Sequence, residues 1–298
     1  MIVAITGSSG LVGTALIEAL EADGHFVRPM VRRAPRADKH EIRWDPAAGT
    51  IDAAELATVD AVVNLAGENI AAKRWTPAFK QQILDSRIRS TNLLCQTLAG
   101  LATKPTVLVS ASATGYYGSR GDAPVDETAA PGAGFLADVC QQWEAATKPA
   151  RDADIRVVNL RIGFVLARDG GGLAKMLTPF KLGLGGVIGS GRQYISWIAL
   201  DDLVRAIQFT LAASTPAGPV NAVSPQPVTN RDFTKTLGQV LKRPTIFPMP
   251  AFAAKLAFGE MADNMLLSSI RVEPRVLTAA RFEFAYPDLE SALRHVVT

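Results

Sequence analysis

The amino-acid sequence predicts an α/β protein in which a doubly wound parallel sheet is followed by a smaller C-terminal lobe. Short apolar runs, typical of buried parallel strands, alternate with longer segments whose apolar residues recur at helical spacing. These runs cover residues 2–6, 26–31, 61–65, 106–110 and 156–160. Such alternation favours parallel strands with helices on both faces of the sheet. A glycine-rich turn directly after the first run supports the same fold class.

The predicted helices begin and end at glycine, proline and capping residues. A first helix runs from Leu11 until Gly24 stops it, and Pro77 begins a longer one that reaches about Leu98. Further helices are predicted near 134–147, 200–211 and 229–241. In a doubly wound sheet, ligands bind outside the carboxyl ends of the strands. We therefore expect the functional residues in the loops that follow the predicted strands.

The segment Thr6–Gly13 reads TGSSGLVG and joins the first predicted strand to the first helix. Gly7 permits a tight turn, Gly10 lets the backbone approach a pyrophosphate, and Gly13 allows close packing of the helix. The helix N-terminus offers free N–H groups and partial positive charge to phosphates. These features predict a Rossmann-like NAD(P)-binding sheet, whose cofactor contacts Gly7, Ser9, Gly10, Leu11, Val12 and Gly13.

The residues at the end of the second predicted strand indicate which dinucleotide is bound. An NAD-binding site usually has Asp or Glu about 20 residues after the glycines. This chain has Arg32 and Arg33 there instead. An arginine suits a ribose 2′-phosphate through charge and forked hydrogen bonding, so Arg32 predicts NADP(H). The alternative is that both arginines are solvated surface residues.

The pattern of strands and helices changes after Val165. Glycine-rich loops appear, yet a strand near 220–223 indicates that part of the later chain returns to the sheet. We therefore assign residues 1–165, with about 193–222, to the dinucleotide-binding domain. Residues 166–192 and 223–298 would form the smaller substrate lobe.

Composition and charge exclude several other classes of protein. The chain has 298 residues, 48% of them hydrophobic, and a net charge of only +3, so it resembles neither a disordered chain nor a nucleic-acid-binding protein. Cys95 and Cys140 are expected in the core, and no cluster of metal-binding spacing predicts a metal. No signal sequence or membrane-spanning run is evident, so we expect a cytoplasmic protein with a small-molecule substrate and no membrane or nucleic-acid partner. The sequence does not indicate an oligomeric state.

Several motifs further along the chain resemble those of a known family. They include AGENI at 66–70, SASATGYYG at 110–118, FLADVC at 135–140, GSGRQ at 189–193 and EPRVL at 273–277. With the glycine turn, they resemble the extended short-chain dehydrogenases/reductases. More closely, nearly the whole chain is similar to the atypical "epimerase family protein" branch, which is nucleoside-diphosphate-sugar epimerase-like. The resemblance implies that the cofactor also contacts Leu65, Ala66, Gly67, Ser110, Ala111, Leu160, Arg161 and Ile162.

The same resemblance shows that two catalytic residues of the wider family are missing. Ser112 matches the family's serine, but Phe135 stands at the tyrosine position and Val139 at the lysine position of Tyr-x-x-x-Lys. The usual proton relay, in which the lysine charge lowers the pKa of the tyrosine, is therefore absent. Two alternatives stay open at this point: catalysis through a different proton relay, or binding of the cofactor without catalysis.

Other residues could replace the missing relay. Tyr116 and Tyr117 follow Ser112, and Glu68 follows a strand end, so each is a candidate proton donor or acceptor. The alternatives are aromatic packing for the tyrosines and a loop hydrogen bond for Glu68. Arg161 would hold a substrate anion or form a structural ion pair. The substrate pocket is expected to be lined by Glu68, Asn69, Ser112, Tyr116, Phe135, Arg161 and Trp197.

Three functions are consistent with these residues. The first is an NADP(H)-dependent oxidoreductase acting on a small carbonyl or alcohol, with Ser112 holding the substrate oxygen. The second is a non-catalytic NADP(H)-binding or sensing protein, favoured by Phe135 and Val139. The third is a nucleotide-sugar epimerase-like enzyme, for which Arg192 and Arg271 are the only hints. Sequence motifs of serine hydrolases and P-loop proteins are absent.

Overall fold

The computed structural model describes residues 1–212 and 217–297. Its strands are β1 (Ile2–Thr6), β2 (Phe26–Val31), β3 (Ile42–Asp45), β4 (Thr50–Ile51), β5 (Ala61–Asn64), β6 (Val107–Ala113), β7 (Pro124–Val125), β8 (Arg156–Ile162), β9 (Phe164–Leu166), β10 (Tyr194–Ile195), β11 (Trp197–Ala199), β12 (Gly218–Ala222), β13 (Val228–Thr229) and β14 (Arg271–Val272).

The helices between these strands differ widely in length. They are α1 (Leu11–Ala22), α2 (Ala53–Leu56), α3 (Pro77–Gly100), α4 (Phe135–Ala145), α5 (Lys148–Asp152), α6 (Gly171–Lys181), α7 (Leu200–Leu211), α8 (Asn230–Leu241), α9 (Ala251–Phe258), α10 (Arg275–Ala279) and α11 (Leu289–Val297). Within the described ranges, none of them is both long and apolar enough to cross a membrane.

The main sheet has the strand order β12-β8-β6-β5-β1-β2-β3-β4. All neighbouring strands are parallel except β3 and β4, which form an antiparallel pair. The predicted doubly wound parallel sheet is thus confirmed. The chain adds strands outward from β1 on one side and from β5 on the other, so the order reverses between β1 and β5. A crevice at the carboxyl ends of these two strands is where such a fold binds ligands.

Strands β3 and β4 were not predicted from the sequence. β3 has four residues and β4 has two, and only Met30–Ile42 and Val31–Arg43 pair β3 with β2. Ile42 and Trp44 alternate with polar residues and are buried, but so short an alternation is not distinctive on its own. The predicted helix near 134–147 also differs from the structure, because it ends at Ala145 and a short second helix follows.

Each face of the main sheet is covered by helices. Leu16 of α1 and Ile207 of α7 pack on one face, while Leu94 and Leu98 of α3 pack on the other. Burial of each such side chain contributes about 1.5–3 kcal/mol. Because α7 and β12 belong to this assembly, the chain returns to the sheet after residue 199.

A third apolar cluster lies beside the main sheet. It contains Phe180 of α6, Trp197 of β11, Phe233 of α8 and Leu293 of α11, all buried. Strands β9 and β11 pair in parallel next to this cluster, outside the main sheet. The domain boundaries given above stay a prediction.

Candidate functional site

A buried network of polar side chains joins the ends of the central strands. The Thr6 hydroxyl donates to Asn64 Oδ1 at 2.7 Å and accepts from the backbone N–H groups of Leu65 and Ala66, each at 3.1 Å. Thr6 ends β1 and Asn64 ends β5, so the network fixes the crevice where the strand order reverses. Thr6 was not identified as functional from the sequence, because a threonine at a strand end has no distinctive signal.

The same network continues to α3 and β6. Asn64 Nδ2 donates to Thr91 Oγ1 at 2.9 Å and to Ser110 Oγ at 3.1 Å. Trp143 Nε1 of α4 donates to the same Thr91 hydroxyl at 3.0 Å. Buried polar groups need hydrogen-bond partners, and the side chains of this network serve as partners for one another. Ser110 therefore anchors the strand end from the interior of the protein.

The glycine turn has little space for side chains. Gly7 has φ +67°, and a Cβ there would lie 2.8 Å from the backbone of Leu65. A Cβ on Gly13 would lie 2.3 Å from the Gly7 carbonyl oxygen. Gly13 is therefore required by the turn itself, rather than by contact of the helix with the strand. Gly10 caps α1 without a side-chain acceptor, and the first turn of α1 has no acidic residue, so its positive end stays uncompensated.

A cleft of about 850 Å³ lies above this turn. It extends from the glycine turn across the ends of β2 and β5 to α3, and its size suits a nucleotide. Its wall includes Gly7, Ser9, Gly10, Arg32, Arg33, Arg36, Glu41, Leu65, Ala66, Gly67, Glu68, Asp85 and Arg89. This is the first cavity of the site.

Three arginines surround one end of the first cavity. The carboxylate of Glu41 is 3% exposed, and it accepts from Arg33 Nη1 at 2.7 Å, Arg36 Nη2 at 3.0 Å and the Arg36 backbone at 2.8 Å. The hydrogen bond from Arg33 is the main reason that the pKa of Glu41 is lowered to about 2. Arg32 is exposed and forms no ion pair in the part of the chain described. Three arginines therefore line this end of the cavity, and two of them, Arg33 and Arg36, share one carboxylate.

A second arginine–carboxylate cluster lies in the interior. Arg161 of β8 donates to Glu144 of α4 from Nε at 2.8 Å and from Nη2 at 2.9 Å. The Ser112 hydroxyl donates to the same carboxylate at 2.7 Å. Burial opposes the charge of Arg161, but hydrogen bonding to Glu144 outweighs it, so the pKa of Arg161 lies above its ordinary value. Arg161 therefore forms the structural ion pair that was the alternative interpretation of this residue.

Two tyrosines close this interior cluster. The Tyr117 hydroxyl accepts from Arg161 Nη1 at 2.9 Å and donates to Asn221 Oδ1 at 2.7 Å. Burial raises the pKa of Tyr117 to about 12. The ring of Tyr116 lies against the Arg161 guanidinium, with 3.5 Å from Cζ to the ring centroid. Both tyrosines are in the packing role that the sequence left open, and a catalytic role for them or for Ser112 stays a prediction.

Glu68 is placed differently from the other catalytic candidates. Its side chain is exposed at the rim of the first cavity. Its backbone N–H donates to Ser86 Oγ at 3.0 Å, and its carbonyl accepts from Arg87 at 3.0 Å. Glu68 therefore lies in water at the rim and not in a buried position.

A second cavity of about 440 Å³ lies between α4, the turn after β8, and β10. Its wall is mostly apolar and includes Leu11, Ile83, Leu136, Val139, Ile162, Phe164, Met176, Ile195, Phe233, Leu266 and Ile270. The polar groups among its lining residues include those of Arg87, Thr114, Tyr194 and Asn230. Thr114 and Arg87 were not identified as candidates from the sequence.

This second cavity differs from the substrate pocket predicted from the sequence. None of the seven residues expected to line that pocket lies in the wall of the second cavity. Trp197 is fully buried and donates to the Gln226 carbonyl at 3.0 Å, and Phe135 packs against Trp75 with ring centroids 5.2 Å apart. Val139, which the sequence resemblance predicts to stand at the position of the family's lysine, does line the cavity. Sequence spacing could not show which side of each strand end faces the open space.

The residues predicted to bind the cofactor fall into three groups: those that line the first cavity, those that line the second, and those that line neither. Seven lie in the wall of the first cavity, namely Gly7, Ser9, Gly10, Arg32, Leu65, Ala66 and Gly67, and Leu11 and Ile162 lie in the wall of the second. Six line neither cavity: Val12, Gly13, Ser110, Ala111, Leu160 and Arg161. Ser110 and Leu160 are completely buried, and their contact with the cofactor stays a prediction.

Two segments of the chain match known protein families. Residues 3–222 match the NAD dependent epimerase/dehydratase family. The chain belongs to this family. Residues 249–296 match a domain of unknown function. The predicted family resemblance is thus confirmed, whereas the loss of the Tyr-x-x-x-Lys pair stays a prediction.

Relatives of the chain match it over its full length. An epimerase family protein of Mycobacterium tuberculosis is 48% identical over 299 residues, which cover 100% of this chain and 98% of the relative. A crystal structure of the human epimerase family protein SDR39U1 (isoform 2) with NADPH has a TM-score of 0.91 at 35% identity, and covers 100% of this chain and 99% of its own. A nucleoside-diphosphate sugar epimerase from Corynebacterium glutamicum has a TM-score of 0.82 at 36% identity, and the match covers 100% of this chain and 58% of the other.

Proposed function

We propose that this chain binds NADP(H) and uses it to oxidise or reduce a small carbonyl or alcohol compound. The observation that carries the cofactor assignment is the arrangement of Arg32, Arg33 and Arg36 at the end of the first cavity. Within the described residues, Arg33 and Arg36 share the Glu41 carboxylate and Arg32 forms no ion pair, so the cluster keeps an excess of positive charge. A ribose 2′-phosphate fits that excess, whereas an unphosphorylated ribose does not need it. The NADPH in the crystal structure of the human relative supports the same cofactor.

In this proposal the cofactor extends from the first cavity to the second. The glycine turn and the N-terminus of α1 would hold the pyrophosphate, and Leu65, Ala66 and Gly67 would line the adenosine side. Leu11 and Ile162 would contact the nicotinamide end. When bound, the cofactor supplies or accepts a hydride.

The residues of the second cavity would handle the substrate. With a substrate bound, its mostly apolar wall would keep water away, which would strengthen a hydrogen bond to a substrate oxygen. Thr114 and Tyr194 belong to this wall, and each has a hydroxyl group. They are therefore candidates to hold the substrate oxygen. The catalytic roles expected for Ser112, Tyr116, Tyr117 and Glu68 stay predictions, since none of these residues lines the second cavity.

A second candidate function is a non-catalytic NADP(H)-binding protein that senses the state of the cofactor. The apolar Val139 in the cavity wall, where the family's lysine would stand, favours this alternative. An epimerase-like activity on a nucleotide sugar is a third candidate, consistent with the family name. Turnover separates these candidates, because only the first consumes NADPH in proportion to a reduced carbonyl product.

The cofactor assignment is tested by titrating the protein with NADPH and NADH and following cofactor fluorescence. We expect NADPH to bind at least about tenfold tighter than NADH, and Arg32→Asp to abolish most of that difference. Lys104→Asp, on an exposed residue outside both cavities, is the matched charge-reversal control. An unchanged preference in Arg32→Asp would remove Arg32 from the site.

A further inference from the structure

We propose that Arg87 binds the carboxylate of an otherwise apolar substrate in the second cavity. This inference names the substrate class for the function proposed above and rests on it. Arg87 lies on α3, between the two cavities, and it is the arginine that lines the second one. The proposal follows from how its guanidinium group is held and from what surrounds it.

The Arg87 guanidinium is fixed by backbone and hydroxyl oxygen atoms. Nη1 donates to the Ile83 carbonyl at 3.1 Å and to Ser86 Oγ at 3.4 Å, and Nη2 donates to the Glu68 carbonyl at 3.0 Å. The group also lies over the Trp143 ring, with 5.0 Å from Cζ to the ring centroid. It is therefore held in one orientation before any ligand binds.

Within the described residues no carboxylate lies at ion-pair distance from Arg87, and the exposed Glu68 side chain attracts its charge only through space. Arg161 is neutralised by Glu144 and Arg33 by Glu41, but no carboxylate forms an ion pair with Arg87. An arginine has five N–H donors. In Arg87 the N–H of Nε and one of the two N–H groups of Nη2 have no acceptor among the described residues. Burial lowers the pKa of Arg87, which reflects the cost of keeping this charge partly away from water. An anion would offset that cost.

The anion is expected in the second cavity rather than in the first. A Cβ on Gly67 would lie 3.2 Å from Arg87 Cζ, so the loop after β5 packs closely against the guanidinium on the side of the first cavity. On the other side, Ile83, Leu136 and Val139 present apolar surface around the same arginine. A ligand with one carboxylate and an apolar body matches this combination of one fixed cation and an apolar wall.

The cofactor could supply an anion too, since a pyrophosphate has the same chemistry as a carboxylate toward arginine. The experiment therefore measures both ligands on the same protein samples. Calorimetry at pH 7 would follow binding of octanoate and 4-phenylbutyrate, each beside its uncharged primary amide, to protein saturated with NADP⁺. NADPH affinity would be measured in parallel by fluorescence.

We expect each acid to bind about tenfold tighter than its amide in the unmodified protein. Arg87→Met should abolish that difference, Arg87→Lys should retain part of it, and both should leave NADPH affinity within about threefold. Arg151→Met, on the exposed side of α5, controls for loss of one positive charge. If Arg87→Met does not fold, the acid–amide comparison on the unmodified protein and on Arg87→Lys still decides the outcome.

Equal binding of acid and amide, or no binding of either at millimolar concentration, would overturn the inference. So would an Arg87→Met variant that loses NADPH affinity but keeps the preference for acids, because Arg87 would then serve the cofactor. The proposed function fails separately, if the unmodified protein does not bind NADPH at all.

Discussion

Two arginine–carboxylate clusters lie at strand ends of the same sheet, and they differ in what surrounds the arginines. Around Glu41 the carboxylate is buried, while the side chains of Arg33 and Arg36 are 49% and 59% exposed and face the first cavity. Around Glu144 it is Arg161 that is buried, 3% exposed, and Tyr116 covers it. The same pair of residue types thus presents positive charge to an open cavity in one case and satisfies a buried charge in the other.

The difference follows from which partner of the ion pair loses its water. A buried carboxylate with exposed arginines leaves donors free to turn toward a phosphate. The buried Arg161, by contrast, has its donors occupied by the Glu144 carboxylate and the Tyr117 hydroxyl. An arginine at a strand end is therefore a candidate ligand-binding residue only if its neutralising partner leaves it accessible.

The largest expected effect is on stability, from Glu144→Ala. This change leaves the Arg161 charge buried without a partner, and we expect the free energy of unfolding to fall by about 3–5 kcal/mol. Urea denaturation followed by circular dichroism measures this loss. Glu41→Ala is the matched variant in the other cluster, and its loss should be smaller because Arg33 and Arg36 can turn to water. Equal losses would show that exposure of the arginine does not distinguish the clusters.

Cofactor preference should respond in the opposite way. Arg33→Met should lower the ratio of NADPH to NADH affinity by about tenfold, since one charged contact to the 2′-phosphate is lost. Arg161→Lys should leave that ratio unchanged, although its stability falls because lysine cannot form the forked pair with Glu144. Fluorescence titration of both cofactors measures the ratio. A change of preference in Arg161→Lys would contradict the structural role given to Arg161.

Ser112→Ala tests whether the interior cluster also takes part in chemistry. Removing its hydrogen bond to Glu144 should cost about 1–2 kcal/mol of unfolding free energy and leave NADPH affinity unchanged. Single-turnover oxidation of NADPH with a substrate identified from a carbonyl panel gives the second measurement. Undiminished turnover would remove Ser112 from the mechanism, whereas a loss beyond about a hundredfold would support its predicted role.

The smallest effect is on the dependence of stability on pH, and it has opposite signs in the two clusters. Folding lowers the pKa of Glu41 to about 2, so its contribution is present above the ordinary pKa near 4.5 and is lost as the pH falls toward 2. Folding raises the pKa of Tyr117 to about 12, so its contribution is present below pH 10 and is lost as the pH rises toward 12.

Glu41→Gln should flatten the acid side of the stability profile, and Tyr117→Phe should flatten the alkaline side. Denaturant midpoints across the pH range measure both slopes. An acid slope that is the same in Glu41→Gln as in the unmodified protein would show that Arg33 and Arg36 do not hold this carboxylate in its charged form.

The sequence by itself determined the fold class and the family, and it predicted the residues at the cofactor end of the site. The features that carried these predictions are local, because each acts within a few residues of its position. They are the strand and helix periods, Gly7 and Gly13, and the arginines after β2. Helices α7 and α8 were predicted with the ends that the structure has, since the apolar spacing of α7 and the Thr229 cap of α8 also act locally. Strands β3 and β4 were missed because so few residues carry too little pattern.

Only the tertiary structure decided which of the candidate residues line a cavity. Glu144 lies 32 residues from Ser112 and 17 from Arg161, and Glu41 lies eight residues from Arg33, so neither partner could be assigned from spacing. The cavity wall likewise combines Val139, Ile162 and Ile270 from distant parts of the chain. Burial and charge compensation depend on such long-range neighbours. For that reason the sequence predicted a cofactor, while the assignment of Arg87 required the folded protein.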